Sequence, residues 1–246
     1  ALQTLILLFF IYSSDLQIKD LRNNLLNDLI SNYYFGLFFT TFCLLVLING
    51  ANFIDGLDGL NLGYFFLIII IIMILGNSSV LNFDEKKLMT IFYIISFLFL
   101  LNVFNYLYLG DSGSYLIGFI FGIFLIELSY DNYFLSPYFI ALLLWYPAFE
   151  NLFSIIRKRV IKKDPLQPDN AHLHQLLFSF FKKNGNNFTK KFSNSFSSSL
   201  IILYNLVIFL IGSNFVNHTK ILFLLLLINI IIYLTVYFVL KKIKYN

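Results

Sequence analysis

Long apolar runs separated by short polar connections recur from one end of this chain to the other, which confines it to folds whose outer surface faces hydrocarbon. A membrane-crossing helix needs about 17 to 25 such residues. Eight segments can be read: a partial one near 1–12 and spans near 33–51, 62–76, 88–108, 115–128, 136–156, 199–216 and 220–240, of which 62–76 and 115–128 are short. The expected fold is an all-α polytopic transmembrane bundle of about eight segments, one integral membrane domain over residues 1–246. Composition excludes a soluble protein, because 59% hydrophobic and 20% aromatic residues with 12% charged residues cannot make a hydrated surface.

Basic residues set the orientation. With loops assigned to alternate sides, twelve of the 17 basic residues fall on one face: Arg157, Lys158, Arg159, Lys162, Lys163, Lys182, Lys183, Lys190, Lys191, Lys241, Lys242 and Lys244. That face is expected to be cytoplasmic. The same alternation puts Asp55, Asp58, Asp111 and His172 there, so every loop with unusual acidic, glycine or histidine chemistry opens to one side. The net charge of +4 reflects this bias and an affinity for anionic lipid, and does not indicate nucleic-acid binding.

The first segment is too short to span alone and Ala1 follows no Met, so the sequence reads as a fragment whose earlier helices lie upstream. After it, Leu16, Leu21, Leu25 and Leu29 recur near helical spacing among polar residues, as in an interfacial helix on the outer surface. The one cysteine, Cys43, lies inside a span and is read as a packing residue.

Chemistry begins with NGANFIDGLDGLN, Asn49 to Asn61, at the end of an oily segment where polar groups are costly. Asn49, Asn52, Asp55 and Asp58 recur every third residue. On a helix that step is about 300°, so the four would fan over half the circumference and could hold a divalent cation or a polar headgroup. Gly56 and Gly59 weaken the helix there and let the backbone open.

A second cluster is LGDSGSYLIGFIFG, Leu109 to Gly122. Asp111 stands between Gly110 and Ser112-Gly113-Ser114 at a sharp turn. It could cap the following helix or, beside Asp55 and Asp58, bind a hard cation such as Mg2+, while Gly110, Ser112 and Ser114 offer N–H donors to a phosphate.

The third cluster is the basic loop IIRKRVIKKDPLQPDNAHLHQLLF. Pro165 and Pro168 stiffen it, Asp169 or Asn170 can cap a short helix, and His172 and His174 suit phosphate contact or proton transfer better than a closed zinc site. Arg157 to Lys163 serve either phosphate binding or topology alone. Two intramembrane acids remain, Glu127 and Glu150. Glu150 follows a kink expected at Pro147 and is read as structurally paired.

Together the three clusters resemble the polyprenyl-phosphate N-acetylhexosamine-1-phosphate transferases, a glycosyltransferase 4 type of membrane enzyme. NGANFIDGLDGL looks like the family's Asn-rich DGLDGL loop, LGDSGSYLIGF like its Gly-Asp-x-Gly-Ser loop, and YPAFENLFSIIRKR with PLQPDNAHLHQLL like its last loop with the HxH signature. The resemblance implies transfer of an N-acetylhexosamine 1-phosphate from a UDP-sugar, a UDP-N-acetylhexosamine, to undecaprenyl phosphate. UMP is released and cell-envelope polysaccharide synthesis begins, in the bacterial inner (cytoplasmic) membrane. It implies Mg2+, with Mn2+ as an alternative, held by Asp111 with Asn52 as second ligand. Asn49, Asp55 and Asp58 would line the nucleotide or catalytic region, His172, His174 and Arg157 would meet phosphate, and the enzyme could act as a homodimer within its lipid.

Departures are as specific. The family's paired aspartates of an early loop are missing with the upstream helices, so the residues as given are expected to be inactive. Gln175 replaces the histidine usual after HxH, and Asn105 and Tyr106 stand where a lysine often precedes Gly-Asp. The competing readings are an ion-coupled transporter or flippase, which would carry its acids within spans, and an inactive scaffold subunit.

Overall fold

The computed structural model describes residues 2–77, 81–160, 162, 171–184 and 189–245. Lys163, Pro165, Pro168, Asp169 and Asn170, assigned roles above, lie outside the described residues. Among the described residues the regular structure is helical, without a strand: α1 (Leu2–Ser14), α2 (Asn24–Ile30), α3 (Tyr33–Ile54), α4 (Leu60–Asn77), α5 (Glu85–Val103), α6 (Gly110–Asp131), α7 (Pro137–Leu143), α8 (Trp145–Val160), α9 (Leu173–Asn184), α10 (Lys190–Ser213) and α11 (Thr219–Tyr245).

The chain is a multi-pass membrane protein. Among the described residues five helices, α3, α5, α6, α10 and α11, are long and apolar enough to cross a bilayer, with a sixth if the bent pair α7–α8 is one broken span. This is fewer than the eight segments expected. The difference lies in α1 and in the apolar stretch Leu60–Gly76 of α4, which form helices but are short for a bilayer whose core is about 30 Å thick. Helix α4 is apolar on every side and lies in the interior: Leu60, Tyr64, Phe65, Ile68, Ile69, Ile71 and Ile72 are all buried. Helices α3, α5, α6 and α10 pack around it.

Helix α3 is the hub of the other half, packed on α1, α6 and α8. Its approach to α6 uses Gly118 and Gly122, one turn apart. A Cβ on Gly118 would stand 2.9 Å from the Ile48 Cα, and one on Gly122 would stand 2.4 Å from the Leu44 Cδ2. Two small residues at this spacing let helices touch backbone to side chain where lipid offers no hydrophobic drive to associate.

The break between α7 and α8 is 74° and falls at Leu144, three residues before Pro147. A proline has no N–H and its ring clashes with the carbonyl four residues earlier, here that of Leu143. That carbonyl accepts instead from the buried Tyr64 hydroxyl at 2.8 Å. The orphaned acceptor is thus satisfied inside the bundle, as an apolar medium demands.

The interfacial helix expected over Leu16 to Leu29 is confined to the seven residues of α2, capped by the Asn23 side chain on the Leu26 N–H. Upstream, Gln17 and Ile18 give their N–H groups to Tyr130 and Thr40, so tertiary bonds replace helical ones. Leu25 and Leu29 remain exposed on α2. Cys43 is a free, half-buried thiol in α3, and Glu127 pairs with Lys87.

Candidate active site

The connections α3–α4 and α5–α6 and the start of α9 meet at the basic end of the bundle. Asn49 and Asn52 lie on the last turns of α3, where Asn49 donates to the Leu45 carbonyl at 2.8 Å and to the Gln3 side chain at 3.5 Å. Asp55 is the C-cap of α3, at φ −79° and ψ 38°, and the chain then turns through residues 56–59.

The helical fan expected for four polar residues therefore stops at Asp55, and Asp58 leaves it. Gly59 takes φ +77°, a left-handed conformation open to glycine at no steric cost, and swings the chain into α4. Asp58 is clamped across the bundle. The Asn194 side chain of α10 accepts from its backbone N–H at 3.0 Å and donates to its carboxylate at 2.9 Å. With its amide nitrogen facing Asp58, Asn105 donates to the same carboxylate at 3.1 Å and accepts from Lys191 at 3.3 Å.

Asp111 is the second residue of α6, entered through Gly110 at φ +65°. The capping alternative is not what forms, since α6 has no side-chain cap. Its Oδ1 accepts instead from Asn52 Nδ2 at 2.9 Å, which joins the first two sequence clusters directly. Asp111 and Ser112 are exposed, whereas Ser114 is buried and donates to the Gly110 carbonyl at 2.9 Å.

Asp55 completes this corner, its carboxyl pushed up to about 6. Burial is the main cause and the charges of Asp111 and Asp58 add to it, while the Ser114 hydroxyl and the Gly110 N–H oppose it.

The histidines lie deeper than phosphate contact alone would suggest. His172 and His174 are buried, their rings stacked with centroids 5.7 Å apart, and His172 lies 5.1 Å from the ring of Phe53, the neighbour of Asn52. His172 Nδ1 is 2.9 Å from the Glu150 carboxylate. His174 reaches under the α3–α4 turn: a Cβ on Gly56 would stand 2.4 Å from its Nε2. Neither His174 ring nitrogen has a hydrogen-bond partner among the described residues, and burial pushes its imidazole down to about 4. Arg157 is also buried, donating to the Tyr237 hydroxyl at 3.0 Å, to Ser154 at 3.3 Å and to the Ala171 carbonyl, so it anchors the start of the histidine segment.

Asn52, Asp55, Gly110, Asp111 and Ser114 thus share one corner, His172 packs on Phe53 beside it in the chain, and Asn49 lies apart, turned to Leu45 and Gln3. Asp58, His174 and Arg157 hold its walls. The sequence reading missed Asn194 and Asn105 as partners of Asp58, and Asn102, whose side chain accepts from the Gly59 N–H at 2.6 Å and donates to the Leu107 carbonyl at 2.8 Å. The signal available was asparagine at the ends of apolar helices, where an amide without a partner is costly.

The donors at the Asn52–Asp111 corner are oxygens, the set a hard cation prefers. Among the described residues no group of three or more His, Cys, Asp or Glu side chains could hold a metal by itself. The corner oxygens suit Mg2+, which takes one or two carboxylates with substrate phosphates and water.

The glycosyl transferase family 4 model matches residues 1–129, which include both the Asn49–Asn61 run and Asp111. Three curated relatives are similar. The probable undecaprenyl-phosphate N-acetylglucosaminyl 1-phosphate transferase of Bacillus subtilis (strain 168) is 34% identical over 140 residues, 54% of this chain and 37% of the relative. The undecaprenyl-phosphate alpha-N-acetylglucosaminyl 1-phosphate transferase of Thermotoga maritima is 32% identical over 130 residues, 53% of this chain and 39% of the relative. The decaprenyl-phosphate N-acetylglucosaminephosphotransferase of Mycolicibacterium smegmatis is 30% identical over 152 residues, 53% and 37% of the two chains. The chain spans less than two fifths of the length of these relatives, and no solved structure matches it. With more than half of its residues matched, and the Asn52–Asp111 corner inside the matched part, the chain belongs to glycosyl transferase family 4.

Proposed function

We propose that the protein transfers an N-acetylhexosamine 1-phosphate from a UDP-sugar to undecaprenyl phosphate at the cytoplasmic face of a bacterial inner membrane. The observation that carries this reading is the 2.9 Å contact between Asn52 and Asp111, which gathers two polar clusters into an oxygen-lined corner at the basic end of a membrane bundle. A lipid-held phosphate and a soluble nucleotide can meet only at such an interface. An oxygen of the acceptor phosphate attacks the phosphorus that bears the sugar, the bond from that phosphorus to the bridging oxygen breaks, and UMP leaves with that oxygen.

Asp111 and the Asn52 side-chain oxygen would hold Mg2+, with Mn2+ as the alternative ion. When bound, the ion neutralises phosphate charge. The protein's own groups do the rest. Ser112 and the start of α6 offer donors to a phosphate oxygen. Asp55 takes up or releases a proton at the corner, and Asp58, fixed by Asn194, holds the α3–α4 turn in place. His172 donates to or exchanges a proton with a phosphate oxygen, and the nearby basic residues draw in the anionic donor.

The test is UMP release. Membranes containing the protein, given undecaprenyl phosphate and a panel of labelled UDP-N-acetylhexosamines, should release UMP and form a lipid-linked diphosphate sugar with at least one donor. Release with none of them would reject the reading.

A further inference from the structure

Glu150 differs from the other acids among the described residues. It is fully buried on a membrane helix, α8, and three donors from outside that helix converge on it. Oε1 lies 2.9 Å from His172 Nδ1 and accepts from the Leu173 backbone N–H at 3.3 Å, while Oε2 accepts from the Tyr233 hydroxyl of α11 at 2.8 Å. The ring of Phe149 packs 4.9 Å from that of Tyr233. A carboxylate in such surroundings is strongly disfavoured unless its partners are well placed, so the arrangement is a specific one.

The acid serves His172 in particular. His174, two residues on, is buried at least as deeply and has no hydrogen bond to an acid, so a buried histidine in this fold does not by itself call for a carboxylate. Both other partners of Glu150 are donors, which makes the carboxylate the acceptor and puts the His172 proton on Nδ1. Nε2 is then the nitrogen available to a ligand. The ring rests against Phe53, and the residue before Phe53, Asn52, is one half of the Asn52–Asp111 contact.

We propose that Glu150 is a positioning residue for transfer: it fixes the tautomer and ring angle of His172 so that Nε2 meets a phosphate held at the Asn52–Asp111 corner, and Tyr233 steadies the second carboxylate oxygen. The proposal rests on the transferase reading above. An acid behind a histidine orients it and stabilises its charged form without touching substrate.

The test is a double-variant cycle on UMP release in membranes. Glu150→Gln keeps the size of the side chain and is expected to lower kcat by about 100-fold, with KM for the UDP-sugar within about twofold. In a His172→Gln background, adding Glu150→Gln should change kcat by less than about twofold, because the acid acts through a ring no longer there. A merely structural acid would multiply its effect onto that of His172→Gln, and this result, or a Glu150→Gln variant with full kcat, overturns the proposal. If Glu150→Gln does not accumulate folded, Tyr233→Phe takes its place, with an expected loss of about 3- to 10-fold that vanishes in the His172→Gln background. Persistence of that loss overturns the proposal equally. Absence of UMP release from the unaltered protein with every donor would reject transfer itself, an outcome distinct from these.

Discussion

The side chains of Asn52 and Asp111, 59 residues apart in the chain, meet at 2.9 Å across the entrance between α3 and α6. The amide nitrogen gives one hydrogen to Asp111, and the amide oxygen has no hydrogen-bond partner among the described residues, so the pair forms a two-oxygen corner with the exposed carboxylate. Asn52→Ala removes one of those oxygens and loosens Asp111. We predict that the Mg2+ concentration for half-maximal UMP release rises about 10-fold, read from a metal titration. An unchanged titration would remove Asn52 from the ligand set.

Asp55 gives the corner a pH dependence. Its folded pKa, about 6, lies above the ordinary aspartate value of 3.8, so the folded protein binds more protons than the unfolded chain between those values. Its contribution to stability is therefore present at low pH and lost as pH rises through about 6. A cation reverses the preference by favouring the ionised form. Mg2+ is predicted to raise the melting temperature more at about pH 8 than at about pH 5, and Asp55→Asn should flatten that difference. An equal Mg2+ effect at both pH values would contradict this account of Asp55.

Gly56 is the floor on which His174 sits. An alanine there would bring its Cβ within 2.4 Å of the His174 Nε2, at a fully buried ring that cannot swing into solvent. Gly56→Ala is predicted to destabilise by about 1–3 kcal/mol and to lower activity by displacing the start of α9, read by thermal unfolding in detergent and by UMP release. A variant as stable and as active as the unaltered protein would show that the two segments are not packed together.

Tyr64 and Pro147 form a matched pair through the Leu143 carbonyl. Tyr64→Phe leaves that acceptor unpaired in the bundle interior and is expected to cost about 1–3 kcal/mol, seen as a lower melting temperature. Adding Pro147→Ala supplies a helical N–H to the same carbonyl and should recover part of the loss. Without recovery, the link between the break and the tyrosine fails.

What could be read in the sequence follows from which interactions are local. Apolar runs locate helices because burial acts on one stretch at a time, so each expected segment has a helix beneath it. Whether a run spans depends on length and on breaks. The break at Leu144 was displaced from Pro147 because a proline acts on the carbonyl four residues back. Gly118 and Gly122, small residues at helix-contact spacing, are the local signal for the α3–α6 contact. Of the site, the polar clusters were visible because charge is conspicuous at the end of an oily run. Their pairings were not. Nothing near Asp58 announces Asn194, 136 residues away, and the fan drawn for Asp58 on α3 assumed a helix that Gly59 ends. Glu150 is paired, as expected from its place in an apolar helix, but the sequence does not show that its partner is His172, 22 residues on in the histidine loop.

The central claim is that the Asn52–Asp111 corner is where transfer occurs. Its most direct test is Mg2+-dependent UMP release by Asp111→Ala, assayed in membranes beside the unaltered protein. The account predicts a loss of at least about 100-fold with a melting temperature in the absence of Mg2+ that stays within a few degrees, since Asp111 is exposed and caps nothing. An Asp111→Ala variant that kept full Mg2+-dependent activity would contradict it.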